Sequence, residues 1–433
     1  MTDKIRTLSP STNEVICERE ELDLPGAESA FLPWKDCPFS QRKDVVCRAL
    51  ELFQKRKNLL TEELTLQMGR PIAFGAKEVE TMQKRADYLL GVSEQALQSL
   101  PGQPEAGFRR WIEKEPIGST LPQFPYLIIV NSLLPALLAG ISVVLKPSPQ
   151  TPLVGERIAE IFPEALPKDV LQVIHSGSPD TLKSIVFAGS TQGGRMLRES
   201  TASRFLPVNL ELGGNDPAYV RPDTDLKYVA EQVVDGAVFN AGQSSCAIER
   251  VYVHADIHDA FMEDVQKELA QYKLGNLSDK TVNIGPAISR AAQASVKAQI
   301  MDALTKGAVN ETPPNPNFAS PSTEGNYVVP SLLTNANHDM LVMKEETLGP
   351  VIPIMRVSSD NEAVKWMNNS DYGLTASIWT KDLKAGECLL KRLEAGTVFI
   401  NRCDYPNPDL VWTGWKNSGM GHTLGPRGFD PFL

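Results

Sequence analysis

Residues 184–194, SIVFAGSTQGG, consist of an apolar run of strand length, a glycine-rich turn and the start of a polar helix. A turn of this kind lets the backbone approach a phosphate, and the free amides at a helix N-terminus favour negative charge. The turn lacks the GxGxxG pattern of dinucleotide-binding loops, so the segment taken alone favours a plain tight turn. The neighbouring segments of the chain decide between these interpretations.

Apolar runs of strand length alternate with helical patterns on both sides of this turn. The predicted strands are residues 142–145, 170–174, 184–188, 208–212 and 217–220. Helical patterns over residues 153–162 and 193–200 separate several of them. Strands that alternate with helices predict right-handed βαβ crossovers and a mainly parallel sheet. A second α/β region follows, and we expect the boundary near Leu212.

The segment before these strands predicts helices. Apolar residues recur at three- and four-residue steps over residues 41–67, and a second helix is expected over 76–99. Residues 126–145 form the longest apolar stretch, which polar residues, glycine and proline interrupt. This stretch predicts a buried strand–helix–strand unit and not a membrane span.

Composition excludes several classes of function. Lys and Arg number 43 against 53 Asp and Glu in 433 residues, and the net charge of −10 argues against nucleic-acid binding. The six cysteines show no CxxC spacing and the five histidines form no HExxH motif, so we expect no disulfide framework and no metal site. The N-terminus has no apolar signal segment, which predicts a cytoplasmic protein without a membrane partner.

Several turns carry charged or reactive side chains. Glu211 lies in an apolar run before Gly213-Gly214, and a carboxylate there costs desolvation energy unless it is paired or functional. Lys146 closes a predicted strand, where it can meet a ribose or a phosphate, although a lone lysine is more often a solvated surface residue. The loop 240–246, NAGQSSC, carries hydroxyls and a thiol, and residues 345–350, EETLGP, form an acidic turn.

The order and spacing of these segments resemble the aldehyde dehydrogenase superfamily over nearly the whole chain. The matching motifs are residues 8–14 (LSPSTNE), 63–72 (ELTLQMGRPI), 115–118 (EPIG), 134–150 with its Lys-Pro-Ser, 187–191, 211–215, Gly242-Gln243, 346–350 and 414–421 (GWKNSGMG). The resemblance implies an α/β fold with two parallel-sheet domains, a variant Rossmann cofactor domain and a catalytic domain, and a small β-arm.

The resemblance also implies domain bounds and partners. The cofactor domain would comprise residues 1–98 and 119–211, the oligomerisation arm 99–118 and the catalytic domain 212–410, with 411–433 returning to the cofactor domain. The chain lacks the family's last arm strand, so we expect a monomer or a homodimer in preference to a tetramer. The cofactor would be NAD or NADP and the substrate a small-molecule aldehyde.

The resemblance assigns roles to individual residues. In the family a Cys thiolate attacks the aldehyde, hydride leaves to the nicotinamide, and a Glu-activated water hydrolyses the thioester. Glu211 takes the position of the general base. The implied cofactor contacts are Lys146 and Ser148 at the adenosine ribose, Gly189 and Ser190 at the pyrophosphate, Glu346 and Leu348 on the nicotinamide side, and Gly194, Leu212 and Gly213 in the same site.

This sequence departs from the family at the reacting centre. Ser245 stands at the nucleophile position, and Cys246 follows where many members carry a second, non-catalytic cysteine. A serine hydroxyl is a poor nucleophile without a partnered base, so either Ser245 or, after a register shift, Cys246 would react. Gln123 replaces the family's oxyanion-binding Asn. An engineered Cys-to-Ser change would explain Ser245 but not Gln123.

Further departures bear on cofactor choice and on activity. Pro149 follows Lys-Pro-Ser where NAD-selective members often have a Glu, so a 2′-phosphate would be tolerated. Leu348 replaces the usual Phe, and the segments around residues 118–125 and 176–183 are shorter than in the family. The sequence therefore predicts NAD(P)-dependent oxidation of an aldehyde to a carboxylic acid. The alternative is a catalytically impaired relative that keeps the fold and cofactor binding. The site motifs contain no arginine pair, which disfavours a dicarboxylate semialdehyde.

Overall fold

A computed structural model describes residues 5–19, 27–117, 126–175, 182–319 and 324–433. The described residues begin with an antiparallel hairpin, after which four helices are described: β1 (Ile5–Leu8), β2 (Val15–Arg19), α1 (Ala27–Lys35), α2 (Phe39–Lys55), α3 (Lys57–Met68) and α4 (Ile72–Leu97). The helix predicted over residues 41–67 is therefore two helices, α2 and α3, which meet at Arg56. Helix α3 ends at Gly69, whose φ of 72° is the left-handed conformation that glycine adopts easily.

A short antiparallel hairpin, β3 (Leu100–Pro101) with β4 (Trp111–Ile112), precedes α5 (Tyr126–Ala139) and β5 (Val143–Leu145). The prediction of a strand at the start of residues 126–145 is wrong, because the described chain is helical from Tyr126 onward. Nearly every side chain of α5 is buried. Because an all-apolar helix shows no amphipathic period, its sequence resembles that of a buried strand.

The glycine-rich turn lies between a parallel strand and a helix, as predicted. The next elements are α6 (Pro152–Ile161), β6 (Leu171–Val173), β7 (Ile185–Gly189), α7 (Thr191–Ser200) and β8 (Val208–Leu212). Strand β5 pairs in parallel with β6, and β7 pairs in parallel with β8. Gly189 is thus the last residue of a strand, directly before the helix that follows the turn.

The second half of the chain forms a larger sheet with helices packed against it. Its first elements are β9 (Asp216–Val220), α8 (Leu226–Val238), β10 (Ile248–His254), α9 (His258–Leu269), α10 (Arg290–Thr305), β11 (Val309–Asn310), β12 (Ser331–Thr334) and β13 (Val351–Val357). The remaining elements are α11 (Asp360–Asn368), β14 (Tyr372–Gly373), β15 (Thr375–Trp379), α12 (Leu383–Leu390), β16 (Thr397–Ile400), β17 (Trp415–Lys416) and β18 (Gly419–Met420).

The larger sheet has seven strands in the order β11-β12-β13-β10-β9-β15-β16, all parallel to their neighbours except β11. Strand β18 pairs antiparallel with β8 of the first half, and Phe429 and Phe432 join the first hydrophobic core. The residues after β16 therefore connect the two halves next to Glu211, the last but one residue of β8. The predicted domain bounds and the oligomeric state stay predictions.

Candidate active site

The turn at Gly213-Gly214 brings three parts of the chain together. A Cβ at Gly213 would lie 1.9 Å from Oε1 of Glu346, so the carboxylate packs directly on the glycine. A Cβ at Gly214 would lie 2.9 Å from the backbone oxygen of Ser245. The end of β8, the loop before β10 and the acidic turn before β13 therefore meet at this point.

A second close approach fixes the Ser245 loop against the acidic turn. Gly242 has φ +70°, and a Cβ there would lie 2.2 Å from the backbone oxygen of Gly349. Gln243 anchors the same loop, because its Oε1 accepts a hydrogen bond from the Ile288 amide at 2.7 Å. The Gly-Gln pair of the motif is thus explained by backbone conformation, close packing and one side-chain anchor.

Glu211 is a partly buried carboxylate near the carboxyl end of β8. Burial raises the pKa of its carboxyl above the usual 4.5, while a hydrogen bond from the Thr423 hydroxyl and the charge of Arg85 act in the opposite direction. A carboxyl whose pKa is moved toward neutrality is suited to proton transfer at physiological pH. Glu211 therefore has the environment that a general base needs.

Ser245 and Cys246 have opposite environments. The Ser245 side chain is exposed in the turn before β10, whereas Cys246 is 5% exposed. The Cys246 thiol donates to Oδ1 of Asp404 at 2.9 Å, and the Ser244 hydroxyl donates to the same oxygen at 2.6 Å. Burial, together with the Asp404 charge, raises the pKa of Cys246 well above 9.0. The thiol is thus held protonated and turned into the core, while the Ser245 hydroxyl faces outward.

Glu346 is held by a hydrogen-bonded turn. Glu249, in β10, accepts hydrogen bonds from the amides of Thr347 (2.9 Å) and Leu348 (2.8 Å) and from Asn215 Nδ2 (3.2 Å). Leu348 has φ +46°, a conformation that side-chain-bearing residues adopt only when neighbouring groups hold it. Burial raises the pKa of both the Glu346 and the Glu249 carboxyl, and their mutual repulsion raises that of Glu346 further.

The glycine-rich turn presents a helix N-terminus. Ser190 caps α7, because its Oγ accepts a hydrogen bond from the Gly193 amide at 3.1 Å. A Cβ at Gly189 or at Gly193 would meet the Phe187 ring at 2.7 Å or 2.9 Å, and a Cβ at Gly194 would meet the Leu212 side chain at 2.7 Å. The first turn of α7 contains no acidic residue, so its amides favour an anion such as a phosphate.

Lys146 and Ser148 follow the carboxyl end of β5. Lys146 is partly buried, and the Ser148 hydroxyl accepts a hydrogen bond from the Gln150 amide at 3.2 Å. Pro149 is exposed, and its carbonyl oxygen accepts a hydrogen bond from the Thr7 hydroxyl at 2.7 Å. No carboxylate therefore occupies position 149, as the sequence showed. Gln123, the predicted oxyanion donor, lies outside the described residues.

Motif reasoning missed three residues that hold the site in place: Thr423, Glu249 and Asp404. A charged residue in the apolar strand 248–254 was a usable signal for Glu249, by the argument already applied to Glu211. Asp404 lies four residues after β16 of the large sheet, and its thiol partner is 158 residues away in the chain. Nothing in the sequence around Thr423 indicates its contact with Glu211.

Comparison with known proteins accounts for this arrangement. The chain matches the aldehyde dehydrogenase family over residues 1–433. It belongs to that family. Members are NAD(P)-dependent oxidoreductases, so the predictions of family, α/β fold, enzyme class and cofactor class are confirmed.

Similar proteins cover almost the entire chain. An aspartate-semialdehyde dehydrogenase (non-phosphorylating) of Halomonas elongata is 31% identical over 98% of this chain and 90% of its own. An aldehyde dehydrogenase of Mycobacterium tuberculosis complexed with NAD⁺ and an NADP-dependent enzyme of E. coli both have a TM-score of 0.92 and 28% identity. Each similarity extends over 100% of this chain and over 93% of the chain of the solved structure.

The residues present fit a dinucleotide cofactor. The α7 N-terminus offers amides to a phosphate, and Glu346 presents a carboxylate at a turn where only glycine leaves room for it. Within the described ranges no group of three or more His, Cys, Asp or Glu could hold a metal ion. A separate search of those residues found no helix with the length and apolarity needed to cross a membrane.

Proposed function

We propose that this chain oxidises an aldehyde to a carboxylic acid with NAD(P), using Ser245 at the nucleophile position and Glu211 as general base. The observation that supports this most directly is the contrast between the exposed Ser245 hydroxyl and the buried, hydrogen-bonded Cys246 thiol. Ser245 also lies on the loop that meets the Gly213-Gly214 turn, and this turn begins two residues after Glu211.

The proposed steps balance atoms and electrons. The Ser245 oxygen bonds to the carbonyl carbon, and its proton passes to Glu211 and then to solvent. NAD(P), when bound, supplies the hydride acceptor, and the substrate carbon is thereby oxidised to an ester of Ser245. Glu211 then takes a proton from the water that attacks this ester, the bond to the Ser245 oxygen breaks, and that oxygen recovers the proton.

The cofactor contacts follow the same assignment. Lys146 and Ser148 would meet the adenosine ribose, Gly189 and Ser190 the pyrophosphate, and Glu346 the nicotinamide ribose. With Pro149 in place of a carboxylate, a 2′-phosphate meets no like charge at that position. We therefore propose that NADP binds about as well as NAD.

A second candidate function is a catalytically impaired aldehyde dehydrogenase that keeps cofactor binding. The observation that favours it is the Ser245 hydroxyl itself, which has no hydrogen-bond partner among the residues that the structure describes. An unpartnered hydroxyl is protonated at neutral pH and reacts far more slowly than a thiolate.

Substitution at position 245 distinguishes the two functions. Ser245→Cys supplies a polarisable nucleophile to the existing site and should raise kcat/KM for aldehyde oxidation at least about 100-fold, since removal of a nucleophile elsewhere costs up to about 10⁶. Ser245→Ala should abolish the wild-type activity. Cys246→Ser, which keeps a donor to Asp404, is the matched control and should change the activity little.

Each outcome of these assays assigns the function. A strong loss of activity in Cys246→Ser would show that Cys246 is the nucleophile and that the proposed register is wrong. If Ser245→Cys gains nothing while NAD(P) still binds, the defect lies in the oxyanion region and the impaired function is the correct one. Cofactor binding is measured by fluorescence titration on the same preparations.

A further inference from the structure

Arg85 is a buried cation with no anionic partner among the residues that the structure describes. It lies on the buried face of α4 between Met82 and Leu89, with 3% of its surface exposed. Its Nη1 donates to the Leu127 carbonyl oxygen (3.2 Å) and to Asn131 Oδ1 (3.1 Å), which are both uncharged acceptors. Because a buried charge without a counter-ion is costly, such a group indicates a place where an anion binds.

One edge of the Arg85 guanidinium is unused. Nε is fully buried without a hydrogen-bond partner, and within the described chain every hydrogen bond of Arg85 comes from Nη1. The free edge, Nε with Nη2, presents two parallel N–H groups, the geometry that binds both oxygens of one carboxylate. Burial lowers the pKa of the Arg85 guanidinium, but an arginine keeps its proton in proteins, so this edge stays cationic.

The protein carboxylates near Arg85 are engaged elsewhere. Glu211 and Glu78 both act electrostatically on the Arg85 guanidinium. Glu211 accepts its hydrogen bond from Thr423, and Glu78 forms an ion pair with Arg70. Neither carboxylate lies within ion-pair distance of Arg85 in the described part of the chain, so the charge is left for another partner.

Arg85 lies within electrostatic range of the proposed base, Glu211. Besides Glu211, the groups that act on its charge include Cys246 and Tyr405. Cys246 is the neighbour of Ser245 in the chain, and Glu211 is the proposed base. A small molecule with its aldehyde at Ser245 and its far end toward α4 would therefore have that end near the Arg85 cation.

We propose that Arg85 binds a carboxylate of the substrate, so that the aldehyde is the semialdehyde of a dicarboxylic acid. The aldehyde end of this assignment rests on the proposed function, whereas the carboxylate end rests on Arg85 alone. Arg85 lies outside the site motifs, on the apolar face of a helix, so the lack of an arginine pair in those motifs does not bear on it. In this role Arg85 determines substrate specificity and takes no part in the chemistry.

The test compares ligands of equal length that differ by one carboxylate. Glutarate against pentanoate, and succinate against butanoate, are titrated into the NAD(P)-loaded wild-type protein by calorimetry. At least one dicarboxylate should bind about 10-fold or more tightly than its monocarboxylate partner, and Arg85→Met should remove that difference. Arg48→Met, at an exposed position of α2, is the matched control and should keep it.

Binding separates this proposal from the proposed function. If neither dicarboxylate binds more tightly than its partner, or if Arg85→Met keeps the preference, Arg85 is not an anion site. If Arg85→Met fails to fold, Arg85→Gln replaces it, since Gln can still donate to Asn131. A dicarboxylate preference that needs Arg85 supports the proposal even when Ser245→Cys shows no oxidation. Equal oxidation of pentanal and of its ω-carboxylate analogue by Ser245→Cys would overturn the proposal.

Discussion

The free energy of unfolding of Asp404→Asn, minus that of wild type, should be larger at neutral pH than at acidic pH. Burial raises the pKa of the Asp404 carboxyl from 3.8 to about 6, against the hydrogen bonds from Cys246 and Ser244, which act to lower it. A carboxyl whose folded pKa is raised contributes stability that is fully present below the unfolded pKa and is lost as the pH rises through the folded pKa. The wild type therefore loses stability between about pH 4 and about pH 6.

The size of this loss follows from the pKa difference. A shift of about two units corresponds to about 3 kcal/mol. This figure is an upper limit, because Asp404 keeps some contact with solvent. Asn at this position keeps an acceptor for the Cys246 thiol and the Ser244 hydroxyl but carries no charge, so its contribution should not change with pH.

The assay is urea unfolding of wild type and variant at several pH values. The free energy of unfolding of Asp404→Asn minus that of wild type should rise by up to about 3 kcal/mol from pH 4 to pH 7. Asp44→Asn, an exposed position of α2, should give a difference that does not depend on pH. A difference for Asp404→Asn that does not change with pH, or that falls as the pH rises, would refute the conclusion that the Asp404 carboxylate is desolvated by burial beside a protonated thiol.

Two further predictions concern the cofactor and the base. In Gly213→Ala the new Cβ would overlap the Glu346 carboxylate, which must then move. We therefore expect NAD(P) to bind about 10-fold or more weakly in a fluorescence titration, with little change in melting temperature. Unchanged affinity would exclude Glu346 from the cofactor site. Thr423→Val removes the hydroxyl that stabilises the ionised form of Glu211. The acidic limb of the pH–rate profile of kcat/KM should therefore move to a pH about one unit higher. A limb that stays in place would mean that Glu211 is not the titrating base.

The alternation of strands and helices was predictable because each element carries its own periodic signal. The strands around residues 143–145, 185–189 and 208–212 lie within a residue or two of their predicted positions. Helix α5 was not predictable in this way, because its residues are apolar on all sides and its period is hidden. The break between α2 and α3 at Arg56 also leaves no mark in the apolar pattern.

The site was predictable where motifs carry it and hidden where distant side chains meet. Glu211 and Glu346 belong to short motifs, and the structure brings them to one turn. Asp404 and Thr423 act through partners on other elements, so no local pattern indicates them. Burial of a charged residue on an apolar face is the one signal that sequence offers for such groups, and Arg85 in α4 carries it.

The placement of Cys246 decides how much of the family's chemistry this chain can perform. To take the place of Ser245, the thiol must leave the core cluster that it forms with Leu374, Trp412 and Leu424. It must also give up its hydrogen bond to the Asp404 carboxylate, which costs about 1–3 kcal/mol, and about 1 kcal/mol of apolar burial is lost as well. Together these terms disfavour the shifted register about 30- to 1,000-fold. Oxidation through Cys246 would thus proceed in a few per cent of molecules at most, whereas Ser245→Cys places a thiol at the reacting position without these costs.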